Sequence, residues 1–163
     1  MPTVRFVPLE DPAYSAWAAV SVREYADEHV RTGEWPREGA LARAEGEFRV
    51  LLPQGPATPD QFLCTVQDAS TGAAVGTVWF QAGTGPLPGE APRAFVYDLR
   101  VDPAQRGKGY GEATMRAVEV EVRKRGFRTL GLHVFGHNAV ARALYEKLGY
   151  VPTNLLMKKD LGD

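Results

Sequence analysis

Residues 97–111, Y-D-L-R-V-D-P-A-Q-R-G-K-G-Y-G, constrain the fold more than any other stretch of the chain. Leu99 and Val101 alternate with Arg100 and Asp102, the period of a half-buried strand. Pro103 cannot donate to a sheet ladder and ends that strand. Gly107, Gly109 and Gly111 then stand at alternate positions, interleaved with Lys108 and Tyr110 and preceded by Arg106, just before a long helical pattern. Glycine accepts positive φ and lets a ligand approach the main chain closely. The unpaired N–H groups at the start of the following helix, with its dipole, attract an anion. The stretch therefore reads as a phosphate cradle, with Arg106 and Lys108 adding positive charge. Spacing excludes two familiar phosphate loops. A Walker A loop requires G-x-x-x-x-G-K-[ST], and Lys108 is followed by Gly109, so no hydroxyl is placed for Mg²⁺. A dinucleotide fingerprint G-x-G-x-x-G counted from Gly107 meets Glu112 at its sixth position instead of a small residue.

The remaining bounds are broad. At 163 residues the chain predicts one domain, residues 1–163, with a core that needs no disulfide or metal. A net charge of −1 gives no electrostatic case for nucleic acid or an anionic membrane as main partner. The single Cys64 excludes an internal disulfide and a cysteine-based zinc site. The three histidines, His29, His133 and His137, form no ligand spacing, so no metal is expected. No apolar run spans a bilayer and no signal-peptide core opens the chain, so the expected location is cytoplasmic.

Along the chain, Val4, Phe6 and Leu9 suggest a short first strand, stopped by Pro8 and Pro12. Ala13 to Arg31 is free of glycine and proline, and Trp17, Ser21 and Tyr25 recur at four-residue steps, predicting a helix. A second helix is predicted from near Pro36, with Leu41, Ala44, Phe48 and Leu51 or Leu52 as its stripe. Pro53 to Asp60 is a loop by composition. Phe62–Asp68 and Val75–Gln81 read as strands of a hairpin turning at Ala69–Gly72. A turn-rich loop, 83–92, leads to the strand at Ala94–Val101. A helix from about Gly109 to Arg125 follows, with Met115, Val118 and Val122 as its stripe and Gly126 as its stop. Thr129–Phe135 is then a strand parallel to the cradle strand through a right-handed crossover. Two helices followed by antiparallel strands indicate an α+β layout.

A second motif lies beyond that strand: Asn138, then A-V-A-R-A-L-Y-E-K-L-G-Y. Asn138 is a good N-cap, Ala141, Leu144 and Leu148 make a stripe, and Gly149 ends the helix. Asn138 and Tyr145 are seven residues apart and share a face. Arg106-x-x-Gly109-x-Gly111 after Val101-Asp102-Pro103 resembles the acetyl-CoA pyrophosphate loop of the GNAT-type N-acetyltransferase superfamily. N-x-x-A-x-x-L-Y-E-K-L-G-[FY] resembles its closing helix. The resemblance covers Ala94 to Lys159 closely, and the N-terminal helices match in order of elements only. It implies an α+β fold in α/β/α layers, with a mixed, mostly antiparallel twisted sheet of about six to seven strands flanked by about four helices. Val151-Pro152 and Leu155–Lys158 would supply the last strands.

The chemistry the resemblance implies is attack of a primary amine on the thioester of acetyl-CoA, the cosubstrate, with the leaving thiolate taking a proton and no metal involved. The backbone of Leu99, Arg100 and Val101 would pair with the pantetheine arm as an added strand does. The Leu99 N–H would polarise the thioester carbonyl. Amides of Arg106, Gly107, Lys108, Gly109, Tyr110, Gly111 and Glu112 would hold the pyrophosphate, and Asn138 would touch the cofactor arm. Tyr145, with a reference pKa of about 10, can protonate a thiolate whose thiol titrates near ~8.5. Each assignment has a structural alternative: Tyr145 as a helix-face residue, Asn138 as a cap alone, and Arg106 and Lys108 as solvated loop charges. Asp98 is the nearest carboxylate for a general base. Alternation puts it on the opposite face from Leu99, and a structural acceptor role is the other reading. Glu24, Glu28, Glu45 and Glu47 either line an acceptor pocket or form the wet faces of the first two helices.

Two classes of function follow. One is an N-acetyltransferase acting on a small-molecule amine or a protein or peptide amine; the other is a non-catalytic acyl-CoA-binding or sensing module. Catalytic release of CoA separates them. A phosphate-loop nucleotide binder is a third class, and it requires ATP to bind more tightly than CoA. The acceptor's identity is not encoded in any motif, and the resemblance is compatible with a homodimer.

Overall fold

A computed structural model describes residues 1–163 and divides them into two units, Met1–His133 and Val134–Asp163. The first unit runs β1 (Val4–Pro8), α1 (Ala13–Arg31), α2 (Ala40–Leu51), β2 (Gln61–Asp68), β3 (Ala74–Gly83), β4 (Arg93–Val101), α3 (Tyr110–Lys124) and β5 (Gly131–Leu132). Its strands form one sheet in the order β1-β2-β3-β4-β5, antiparallel except for the parallel pair β4–β5. The β2–β3 turn is closed by Asp68, whose Oδ1 accepts from the Ser70 and Thr71 N–H groups at 2.8 and 3.1 Å and from Ser70 Oγ at 2.6 Å.

Strand alternation sends Trp79 to one face of the sheet and Phe80 to the other. On the first face Trp79 joins Leu9, Trp17, Leu52 and Leu63 in a buried cluster, with Phe48 and Tyr97 packed against it. A second cluster, Val22, Ala26, Trp35, Ala40 and Ala44, bonds α1 to α2. On the other face Phe80 stacks on Phe62 at 5.1 Å and lies 6.2 Å from Phe6. There α3 packs against β1, β3 and β4, with Met115, Val118 and Val122 buried. Each such side chain contributes about 1.5–3 kcal/mol by leaving water. The first unit is thus α1 and α2, a sheet, and α3: an α+β fold in three layers.

The second unit contains α4 (Ala139–Lys147), capped by Asn138, whose side chain accepts from the Ala141 N–H at 3.2 Å. With α4 the helices number four, as the resemblance implies.

Three expectations are corrected. The sheet has five strands, not six to seven, because residues 150–163 form no ladder. Pro152 removes a donor there, and Leu155–Met157 is an unbroken apolar run with no alternating face to bury. The strand predicted at Thr129–Phe135 is only Gly131–Leu132. Its ladder stops at Val96, next to a bulge in β4 that bends the strand and interrupts pairing. The second helix starts at Ala40 and not near Pro36, because Gly39 at φ 76° sits left-handed at the N-cap.

Candidate active site

The bulge organises β4. Asp98 opposes Trp79 and Val96 opposes Phe80, so Tyr97 is the extra residue. It turns onto the face that α1 covers, where its ring stacks on Trp79 at 4.5 Å and its hydroxyl donates to Gln81 Oε1 at 3.1 Å. Beyond the bulge, Leu99 pairs with Val78 and Asp98 with Trp79, so their side chains occupy opposite faces.

The backbone edges of β4 can be read from two contacts. The Asp102 N–H donates to the Val75 carbonyl of β3 at 2.9 Å. A Cβ on Gly76 would lie 2.0 Å from the Arg100 carbonyl, so that carbonyl also points at β3. Successive peptide groups of an extended strand face opposite edges. Leu99 and Val101 therefore turn their N–H and C=O groups to the other edge. No strand occupies that edge beyond Val96, since β5 pairs only with Phe95 and Val96. The Val101 carbonyl accepts from Arg106 Nε at 3.1 Å. The Arg100 guanidinium instead pairs with Glu24 of α1.

The strand leads through a 3₁₀ turn, Pro103–Gln105, into the glycine loop. Gly107 and Gly109 have φ of 75° and 88°, which L side chains rarely adopt. Gly111 is helical, and its lack of a side chain simply keeps the first turn of α3 open. The N–H groups of Gly107, Lys108, Gly109, Tyr110 and Gly111 find no acceptor in the protein. These donors, at the N-terminus of a 15-residue helix, suit a diphosphate. Lys108 Nζ donates to Gln105 Oε1 at 3.1 Å, and Glu112 pairs with Arg116 at 3.0 Å.

Sequence reading missed how this loop is anchored. The Tyr110 hydroxyl donates to Asp68 Oδ2 at 2.7 Å, tying the start of α3 to the β2–β3 turn. Donors from Ser70, Tyr110 and Thr71 hold the Asp68 carboxyl well below the usual carboxylate range. The Asp-x-Ser-Thr turn was visible in the sequence, but its partner lies 42 positions away.

Asp98 is half-buried with Oδ2 sealed from solvent. Burial pushes its carboxyl up to about 6, helped by Glu24 and opposed by Arg100, the Trp17 indole N–H and the Leu99 N–H. Trp17 Nε1 lies beside the carboxyl without closing a hydrogen bond of ordinary geometry. A carboxyl titrating near neutrality can accept a proton from an ammonium group and release it to solvent.

The other carboxylates divide. Glu24 faces Arg100, and Glu47 accepts from the Tyr25 hydroxyl at 2.6 Å and pairs with Arg43. Glu28 pairs with Arg31, and Glu45 is exposed. His29 stacks on Trp35 at 4.2 Å, a packing role. Cys64 is buried, its thiol pushed up to about 11 by burial, so it is no nucleophile at neutral pH.

In the second unit, Asn138 caps α4 and Tyr145 lies in its last turns, with its ring 5.8 Å from Tyr150.

Residues 20–150 match the acetyltransferase (GNAT) family model. The chain is 34% identical over 161 residues to the N-acetyltransferase YycN of Bacillus subtilis, covering 98% of this chain and 99% of that one. The crystal structure of YycN superposes with a TM-score of 0.86 at 33% identity over 99% of this chain and all of that one. A mycothiol acetyltransferase of Beutenbergia cavernae is 34% identical over 139 residues, 84% of this chain but 41% of that protein. The fold also matches AAC(6')-Iy in complex with a CoA bisubstrate analogue, with a TM-score of 0.58 at 16% identity over 100% of this chain and 99% of that one. The chain belongs to the GNAT family and is an acetyltransferase.

Proposed function

We propose that the chain is a single N-acetyltransferase domain that moves the acetyl group of acetyl-CoA to a primary amine by direct attack. The observation that carries this is the open edge of β4 at Leu99 and Val101, continuous with a loop whose five consecutive N–H groups have no partner. An extended arm ending in a diphosphate suits both at once. The N-acetyltransferase name of YycN supports the same reaction class, and the CoA analogue bound to the similarly folded AAC(6')-Iy fits the same cosubstrate. We assign the enzyme to the cytoplasm, where a lone buried cysteine stays reduced.

Acetyl-CoA, when bound, supplies the thioester. Leu99 and Val101 offer main-chain groups to its arm, and the amides from Arg106 to Glu112 take its diphosphate. The Leu99 N–H stabilises negative charge on the carbonyl oxygen under attack. Asp98 accepts the proton that the amine must lose. Asn138 contacts the arm while capping α4, and Tyr145 delivers a proton to the departing sulfur. The acceptor is a small-molecule, protein or peptide amine. A relative named mycothiol acetyltransferase, and a fold shared with an aminoglycoside 6'-N-acetyltransferase, make amino sugars the first acceptors to try.

Thiol release from acetyl-CoA should appear with at least one member of a panel of amino sugars, polyamines, amino acids and short peptides. Tight acetyl-CoA binding without turnover on any amine would instead identify a sensing module. ATP binding more tightly than CoA would replace both readings.

The loop anchor carries a separate expectation. Tyr110→Phe removes the hydroxyl that meets Asp68 and leaves the ring. It should raise KM for acetyl-CoA about three- to tenfold, because only part of the energy of this hydrogen bond to a carboxylate is spent on holding the loop in its binding shape, with kcat unchanged. Steady-state kinetics against acetyl-CoA decide it. An unchanged KM would mean that the loop holds its shape without this bond.

A further inference from the structure

Five buried side-chain polar atoms lack a hydrogen-bond partner, and four of them belong to elements that face one another: Trp17 Nε1, Ser21 Oγ, Thr77 Oγ1 and Asp98 Oδ2. Trp17 and Ser21 are one turn apart on α1 and are 7% and 6% exposed. Thr77 pairs with Arg100 and Asp98 pairs with Trp79, so Thr77 and Asp98 are diagonal neighbours on the face that α1 covers. Trp17 lies beside the Asp98 carboxyl, and Glu24 farther along α1 meets Arg100. Ser21 lies between Trp17 and Glu24 along α1 and is buried with Trp17.

Four buried polar atoms without partners, on α1 and on the strands it packs against, would carry a large desolvation cost. A single buried water would relieve it, since such waters make about three hydrogen bonds to groups of this kind. The donor and acceptor types are complementary: the indole can only donate, the carboxylate can only accept, and each hydroxyl can do either. A substrate cannot take this place, because every one of the four atoms is closed to solvent.

We propose that Trp17, Ser21 and Thr77 form an internal water site that holds the buried oxygen of Asp98, and that they are positioning residues for its acid–base role. The second half rests on Asp98 being the base; the water site itself rests on the four atoms. Charged groups acting on Asp98 are Glu24 from α1 and Arg100 from β4. β3 has no charged residue, and Arg43 and Glu47 of α2 are engaged with Trp35 and Tyr25.

The test is a carbon-13 NMR titration of the Asp98 carboxyl in the wild type, Ser21→Ala, Thr77→Val and Trp17→Phe, alongside the pH profile of kcat/KM. Removing donors disfavours the carboxylate, so each variant should titrate higher, by about half to one pH unit. The acid limb of kcat/KM should move with it, and the plateau rate should change less than about twofold. A crystal structure should show an ordered water within about 3.2 Å of Asp98 Oδ2. An unmoved titration in the small, foldable Ser21→Ala and Thr77→Val variants, or a dry site in the crystal, overturns the proposal. A titration that moves while the acid limb of kcat/KM stays fixed supports the water site and overturns Asp98 as the base.

Discussion

Asp98→Asn is expected to lower kcat/KM by about 100- to 10,000-fold, the range for loss of a positioned general base. The wild-type profile should carry the same residue's signature. With the carboxyl at about 6, kcat/KM should fall tenfold per pH unit below that value and level off above it. The Asn variant should lack this limb. A low activity that still fell with the same acid limb would assign the base elsewhere. Stability gives an independent check with the opposite sign. An unfolded aspartate titrates near ~3.9, below the folded value, so between the two the folded state binds more protons. The contribution of Asp98 to stability is therefore fully present below about pH 4 and is lost as pH rises through about 6. Asn keeps the shape without the charge. Asp98→Asn should melt higher than wild type at pH 7.5, and the gap should close toward pH 4. A catalytic defect in a more stable protein cannot be blamed on misfolding.

That opposition between function and stability explains part of what the sequence conceals. Placing Asp98 across from Leu99 needs only period-two alternation, and the register agrees. The same rule places Tyr97 with Leu99, and this fails. The bulge turns Tyr97 onto Trp79 instead, beside Asp98 and under α1. Nothing local in Y-D-L-R announces a bulge, because the extra residue is defined by its partner strand. Elements set by local chemistry were legible: α1 over its uninterrupted run, the β2–β3 hairpin from its turn residues, and the glycine loop between strand and helix. What depended on distant pairing was not. The Tyr110–Asp68 anchor, the ending of the β4–β5 ladder at Val96, and the approach of Trp17 on α1 to Asp98 on β4 are all tertiary facts. Ser21 shows the limit well. At four residues from Trp17 and Tyr25 it reads as part of a helical stripe, and it is indeed buried, but its hydroxyl is what distinguishes that position.

Tyr145→Phe should reduce kcat by about 100-fold or more while leaving KM for acetyl-CoA within about twofold. The substitution is mild structurally. Phenylalanine retains the ring that meets Tyr150, and the cap of α4, from Asn138 to the Ala141 N–H, lies at the other end of the helix. Only the hydroxyl is lost. Its proposed task is to protonate a sulfur whose thiol titrates near ~8.5, from a phenol near ~10. Donation is thus slightly uphill at equilibrium and useful only as charge develops on sulfur, which makes the effect fall on kcat. The leaving group then becomes the control. Acetyl thioesters of more acidic thiols need less proton assistance, so they should recover much of the lost rate in Tyr145→Phe and gain little in the wild type. If the variant is equally impaired with every thioester, the hydroxyl is not the acid, and Tyr145 is a helix-face residue whose loss acts through α4.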